Sequence, residues 1–145
     1  MLALVLAAFV SAAPQGADTL TTVRVYVFTE RAASGVSSPD EEGRLDAVRE
    51  VREALAKKKG ISVVDDRASA TLLVEVIDRE QADEPAGPFG GKSVTRLGDT
   101  IIRLHIKSGE HESDIKGMGQ GTWGRAAKDA ADRILKWIAR YEPKR

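Results

Sequence analysis

Residues 119–124 spell Gly-Gln-Gly-Thr-Trp-Gly, a G-x-G-x-x-G run between a stretch that reads as a strand and one that reads as a helix. Glycines at that spacing let a backbone approach a pyrophosphate, whose charge the free N–H groups of the helix N-terminus then hold. The chemistry also needs a second parallel strand after the helix, ending in an acidic residue for the ribose. Here the preceding strand belongs to an antiparallel hairpin, no further strand comes later in the 145 residues, and Trp123 would crowd the ligand. The run therefore reads as structural, with Gly117, Gly119 and Gly121 giving an alanine-rich helix close access to a sheet. A second run, Ala86-Gly-Pro-Phe-Gly-Gly-Lys-Ser93, ends like a phosphate-binding loop. Such a loop must pass straight from strand into helix so that amides and dipole converge on phosphate. The residues after Ser93 carry a strand pattern instead, so no cofactor is expected at either place.

Acid–base, nucleophilic and metal chemistry find little support. The two histidines, His105 and His111, fall on opposite faces of one hairpin and cannot converge on an ion. No Ser or Thr stands near a His with an orienting carboxylate. Asp65-Asp66 comes after a short strand and suits a turn. The chain has no cysteine, which removes thiolate metal sites and disulfides. No enzyme is expected. Lys plus Arg equals Asp plus Glu, 22 each, so the positive excess that phosphate contacts require is missing and nucleic acid is not an expected partner.

These residues need elements to place them. Val23, Val25 and Val27 alternate with Arg24, Tyr26 and Phe28, the pattern of a half-buried strand. Ser38-Pro39-Asp40-Glu41 is a helix start with a capping residue and a proline in the first turn. Leu45, Val48, Val51 and Leu55 give the helix an apolar side, Lys57-Lys58-Lys59 is a solvated last turn, and Gly60 closes it. Strands are expected over 61–64, 70–80 and 99–107, with Ile102, Leu104 and Ile106 inward. Placing Ser108-Gly109 in a two-residue turn sets Lys107 against Glu110, His105 against Glu112 and Arg103 against Asp114. Each such opposite-sign pair contributes roughly 0.2–1 kcal/mol. The last segment, 122–141, is a helix with Trp123, Ala127, Ala130, Ile134, Ile138 and Tyr141 as its apolar stripe, widened by Ala126, Ala131 and Leu135.

The order is β-α-β-β-β-β-α. It predicts an α+β fold, a two-layer α/β sandwich with a mixed sheet of about five strands and two helices on one face. Tyr26, Phe28, Leu73, Ile77 and Ile101 then point away from the helices, and together with Phe89 at a loop tip they form a candidate interaction surface; the alternative is scattered apolar residues on a solvated face. The structural glycines are Gly60, Gly117, Gly119 and Gly121.

Residues 1–13 have the apolar run and small-residue exit of a secretory signal peptide, with cleavage near Ala12 or Ala13. The alternative is a buried N-terminal strand or helix. Residues 14–21 read as a flexible lead-in and 22–145 as one domain, periplasmic or secreted, with no integral membrane span after cleavage. The run Gly-Ile-Ser-Val-Val-Asp-Asp-Arg-Ala-Ser-Ala-Thr-Leu-Leu-Val-Glu-Val, 60–76, coming after an amphipathic helix, resembles small envelope-associated α/β domains of bacteria. These include the N-terminal domain of the Tol-system propeller protein, the periplasmic domain of the curli secretion channel and related domains of unknown function. The likeness covers residues 23–80 and, by position, the last helix. This chain has no lipidated cysteine, membrane hairpin or propeller. The resemblance implies an interaction or assembly role in the cell envelope, with an envelope protein or component as partner. The other function in view is small-molecule or anion binding by loop 86–93 and the N-terminus of the last helix.

Overall fold

A computed structural model describes residues 22–30, 39–81 and 98–141; the expected signal peptide, the lead-in, Ser38 and the 86–93 loop with Phe89 lie outside the described residues. The elements are β1 (Val23–Phe28), α1 (Pro39–Ala56), β2 (Ile61–Val63), a short 3₁₀ turn (Arg67–Ser69), β3 (Leu72–Gln81), β4 (Asp99–Ser108), β5 (His111–Gln120) and α2 (Trp123–Tyr141). They form one five-stranded sheet in the order β2-β1-β3-β4-β5. β1 is parallel to both β2 and β3, while β3-β4-β5 is antiparallel. The fold is the expected α+β sandwich with both helices on one face.

The inward side chains result from strand periodicity. Val25, Val27, Leu72, Val74, Val76, Ile102, Leu104 and Ile106 are all buried and join residues of both helices in one core cluster. Parallel strands joined in sequence, as β2 and β3 are on either side of β1, normally need a long crossover. Here residues 64–71 suffice because the partners are staggered along β1: β2 pairs with Val23–Val25 and β3 with Val25–Phe28. Backbone bonds Val64 N–H to Val25 O and Thr71 N–H to Arg24 O, both 2.9 Å, hold the link to β1. Asp66 starts the 3₁₀ turn by accepting from the Ala68 N–H at 3.0 Å, and Asp65 pairs with Arg52 on α1.

Helix α1 departs from the expected stripe. Leu45 is 41 % exposed, whereas Ala47, Val51 and Leu55 are fully buried. Ala47, Val51 and Leu55 repeat every four residues and make the buried side, and Leu45, two residues and so about 200° around the helix from Ala47, falls outside it. Lys58 is not a solvated lysine, since its ammonium bonds Asp132 on α2 at 2.5 Å. Gly60 leaves the helix end with φ +77°, a conformation an L side chain resists.

The β4–β5 hairpin corrects the charge-based register. Ser108 pairs with His111, so the turn holds Gly109 and Glu110. The shift of two residues preserves every face but changes the partners. Lys107 meets Glu112, His105 meets Asp114, and Arg103 faces Lys116. Arg103 finds its carboxylate on the other neighbour, Glu80 of β3, at 3.1 Å. A turn one residue later lets Gly109 take its positive φ of +59° at the first loop position. Only one of the three opposite-sign pairs is given up to that preference.

Helix α2 lies on β5 in backbone contact. A Cβ on Gly117 would stand 2.3 Å from the Ala126 carbonyl oxygen and 2.5 Å from the Ala130 Cβ; one on Gly119 would stand 2.4 Å from the Ala126 nitrogen. Gly121 comes after β5 with φ +74° and turns the chain into α2. Ala126, Ala127, Ala130, Ala131, Ile134, Trp137 and Ile138 are buried. The expected stripe thus rotates at its C-terminal end, where Trp137 is inside and Tyr141 is 44 % exposed. Among the described residues no helix is long and apolar enough to cross a membrane.

Gly117→Ala must push α2 off the strand, because the atoms it meets are backbone and a helix-core methyl rather than a flexible side-chain end. Urea unfolding is expected to show a loss of about 1–3 kcal/mol, with an unchanged m-value; an unaltered midpoint would contradict the contact.

Candidate functional site

The sheet face opposite the helices carries the residues singled out as an interaction surface. Strand pleating directs Tyr26, Phe28, Leu73 and Ile101 there, half-buried, and Ile77 at 46 % exposure. Tyr26 and Phe28 stack at 5.5 Å with an interplanar angle of 17°. Leu73 is the cross-strand neighbour of Tyr26, and Glu75 that of Phe28. Arg67, on the link from β2 to β3, stands 4.9 Å over the Phe28 ring. That cation covers part of one aromatic face.

The five of these side chains that are described do not form one patch. Tyr26, Phe28 and Leu73 cluster at one end. Ile101 lies at the other, paired with Met118 of β5, which is 45 % exposed. Met118 belongs to this surface although its type alone does not mark it out; its position between Gly117 and Gly119 does, since alternation sends it outward. A charged band separates the two ends. In it, His105 Nδ1 lies 2.8 Å from Asp114 and Nε2 3.8 Å from Glu112, and Arg103 holds Glu80. Ile77, already outward by alternation, sits in a bulge of β3: Val76 pairs with Leu104 and Asp78 with Arg103, leaving Ile77 unpaired between them. Phe89 lies outside the described residues.

The same bulge redirects Arg79. Simple alternation from Leu72 would put it on the outer face, but after the bulge it pairs with Ile102 and faces the helices. There its guanidinium lies 3.9 Å over the Trp123 ring, donates to the Gly43 carbonyl at 3.3 Å and reaches Asp46 at 3.7 Å. One side chain thus joins β3 to the first turns of both helices. Nothing in the sequence marks it, because a bulge is a property of the paired strands.

The GQGTWG turn is occupied by its own groups. Thr122 Oγ1 accepts from the Arg125 N–H at 3.4 Å. The buried Thr100 hydroxyl lies 2.8 Å from the Gly119 carbonyl and 3.0 Å from that of Thr122. A Cβ on Gly124 would be 3.8 Å from a Glu50 carboxylate oxygen, which places negative charge beside this helix end and opposes an anion there. His105 lies on the outer face, while His111 lies on the helix side, 5.0 Å from the Tyr141 ring. Among the described residues no group of three His, Cys, Asp or Glu side chains could hold a metal ion.

At the other edge of α2, Asp129 accepts from the Met118 backbone N–H at 2.9 Å and from Arg133 Nε at 2.8 Å. Burial alone would raise its pKa; the Met118 bond, Arg133 and Lys136 together outweigh burial and lower it below 3.8. No protein-family model matches the chain, and no curated protein matches it significantly.

A carboxylate whose folded-state pKa is depressed adds stability above its unfolded value, and that stability disappears as pH falls through the folded one. The stability difference between wild type and Asp129→Asn, followed by urea titration, is therefore expected to be positive at neutral pH and to shrink once pH drops below 3.8. A difference that stays constant through that range would refute the ionic role.

Proposed function

We propose that this chain is an exported, non-catalytic interaction domain of the cell envelope, binding a protein or envelope component through the outer face of its sheet. The observation that carries the reading is the composition of that face. Two stacked aromatics and Leu73 lie at one end and Ile77, Ile101 and Met118 at the other, with no helix of the described residues laid over them. Apolar ends flanking a charged band suit a polypeptide surface, where the ends supply desolvation and the band supplies orientation. Export is supported by the signal-like residues 1–13. The envelope context rests on the resemblance carried by residues 60–76. The absence of a catalytic role is argued from the sequence: two histidines on opposite faces and no nucleophile with a neighbouring base.

Two measurements test this. Capture from an envelope extract on the immobilised domain should lose its partner when Ile77 and Ile101 are both replaced by Asp. Surface substitutions of this kind should shift stability by only about 0.5 kcal/mol each, so equal recovery on a folded double variant would remove the surface from consideration. Expression of the whole chain in a bacterium, followed by mass spectrometry of the exported product, should give a mature N-terminus at Ala13 or Pro14; an intact product retained inside the cell would count against export.

A further inference from the structure

We infer that the free edge of β5, along Glu112–Lys116, is a strand-addition site for an acidic, extended polypeptide segment. Among the described residues β5 is the last strand of the sheet and pairs only with β4. Its outward backbone groups can be identified. The Met118 N–H goes to Asp129 and not to β4. Backbone groups of an antiparallel strand alternate between its two sides, so Glu112, Asp114 and Lys116 also direct their N–H and C=O groups outward. The far end of this edge is blocked, since Asp129 holds the Met118 N–H and Arg125 bonds the Gln120 carbonyl at 3.3 Å. Among the described residues the near half is open, and an open row of donors and acceptors is a template for another strand.

Next to that open half is a groove of about 360 Å³ between β5 and α2, lined among others by Ile115, Lys116, Arg133, Lys136, Trp137 and Arg140. Residues 129, 133, 136 and 140 keep helical spacing, so they share one stripe of α2, the one that overhangs the edge. Among the described residues the lining holds four cations, Lys116, Arg133, Lys136 and Arg140, against two carboxylates, Asp114 and Asp129. Both carboxylates are engaged, Asp114 with His105 and Asp129 with Met118 and Arg133. Lys116 and Arg140 have no ion-pair partner among the described residues. Trp137, on the same wall, has a buried indole N–H without an acceptor among the described residues. A strand added here sends alternate side chains into the groove about 6.7 Å apart. The basic residues of α2 rise by about 4.5 Å and then about 6 Å from one to the next. Glutamates at alternate positions therefore meet Arg133, Lys136 and Arg140 in turn.

A second copy of the chain fits less well than a lone segment. α2 sits directly over Gly117 and Gly119 of β5. Pairing β5 with its own copy would set two such helices about one strand spacing apart, near 4.8 Å, whereas packed helices need about 8–10 Å. It would also bring the two basic stripes together. The inference shares with the proposed function only the premise that the partner is a polypeptide; the outer face and the β5 edge are separate surfaces.

The test is fluorescence anisotropy on the full domain with two labelled peptides of equal length, one alternating Glu with Thr and one alternating Lys with Thr. The Glu peptide should bind, more weakly as salt rises, and the Lys peptide should not. Lys136→Glu with Arg140→Glu should weaken binding by about tenfold or more. Asp114 separates strand addition from simple charge attraction. Asp114→Asn removes a negative charge and keeps the N–H, so binding holds or tightens. Asp114→Pro removes the same charge and the outward N–H, so binding weakens; proline is tolerated there because that N–H does not serve β4. Equal binding by the two variants overturns the inference, and so does failure of the Glu peptide to bind wild type. If Asp114→Pro does not fold, amide exchange on wild type decides: Glu112, Asp114 and Lys116 must slow on adding the Glu peptide, and unchanged rates overturn the inference. Light scattering that shows a dimer broken by Asp114→Pro would assign the edge to a second copy instead. Ile77→Asp with Ile101→Asp should leave peptide binding intact, so the failure of either surface is distinguishable from that of the other.

Discussion

A helix can come to rest with its backbone against a strand only where the strand presents no side chains. Gly117 and Gly119 of β5 provide that opening, and Ala126 and Ala130 of α2 fill it. Much of the remaining architecture depends on how close this contact is. It sets α2 over the last strand rather than between two strands, so one flank of the helix projects past the sheet. It brings Asp129 within hydrogen-bonding distance of the Met118 amide, which ties the strand edge to the helix without a further strand. It also rolls Trp137 into the core while Tyr141 stays near the surface. A glycine run that resembles a phosphate-binding fingerprint is, in this molecule, the means by which two layers meet.

The sheet combines two kinds of pairing with different consequences. In the parallel half, β2 and β3 share β1 by stagger, and the short link between them crosses with Arg67 over Phe28. In the antiparallel half, long strands pair over most of their length, and a single bulge at Ile77 changes which residues face the helices. Arg79 gains a structural role through that bulge, tying both helix N-termini to β3. Ile77 loses its place in the ladder and becomes one of the more exposed apolar side chains. The outer face is consequently divided into an aromatic end and an aliphatic end with a charged band between them.

The two candidate surfaces differ in what a partner must bring. The outer face offers side chains only, because its backbone groups are spent on the sheet, so recognition there depends on shape and desolvation. The β5 edge offers backbone donors and acceptors and a flanking row of cations, so recognition depends on an extended conformation and on charge. A chain with equal numbers of acidic and basic residues shows neither bias in its composition. The local excess of cations beside β5 arises because helical spacing places Arg133, Lys136 and Arg140 on one side of α2, and the glycine contact then aims that side at the edge.

Element types and order were legible because they depend on local periodicity. Alternating valines make β1, Ile102-Leu104-Ile106 make the inner face of β4, and alanines at helical spacing make α2 an element that could lie close to glycines. The two-layer arrangement results from those faces needing cover. What the sequence did not determine depends on which strands pair and how closely layers approach. The hairpin register moved by two residues because turn geometry favoured Gly109 at the first loop position while only one of three opposite-sign pairs was given up, and a shift of two leaves the hydrophobic pattern unchanged and so invisible to it. Leu45 lies outside the core because the side of α1 carrying Ala47, Val51 and Leu55 is the one that faces the sheet, a choice made by how the two layers pack. The inward turn of Arg79 and the open cationic edge of β5 likewise exist only once β3, β4 and α2 are in place, since each is made by residues far apart in the chain whose mutual position no local pattern encodes.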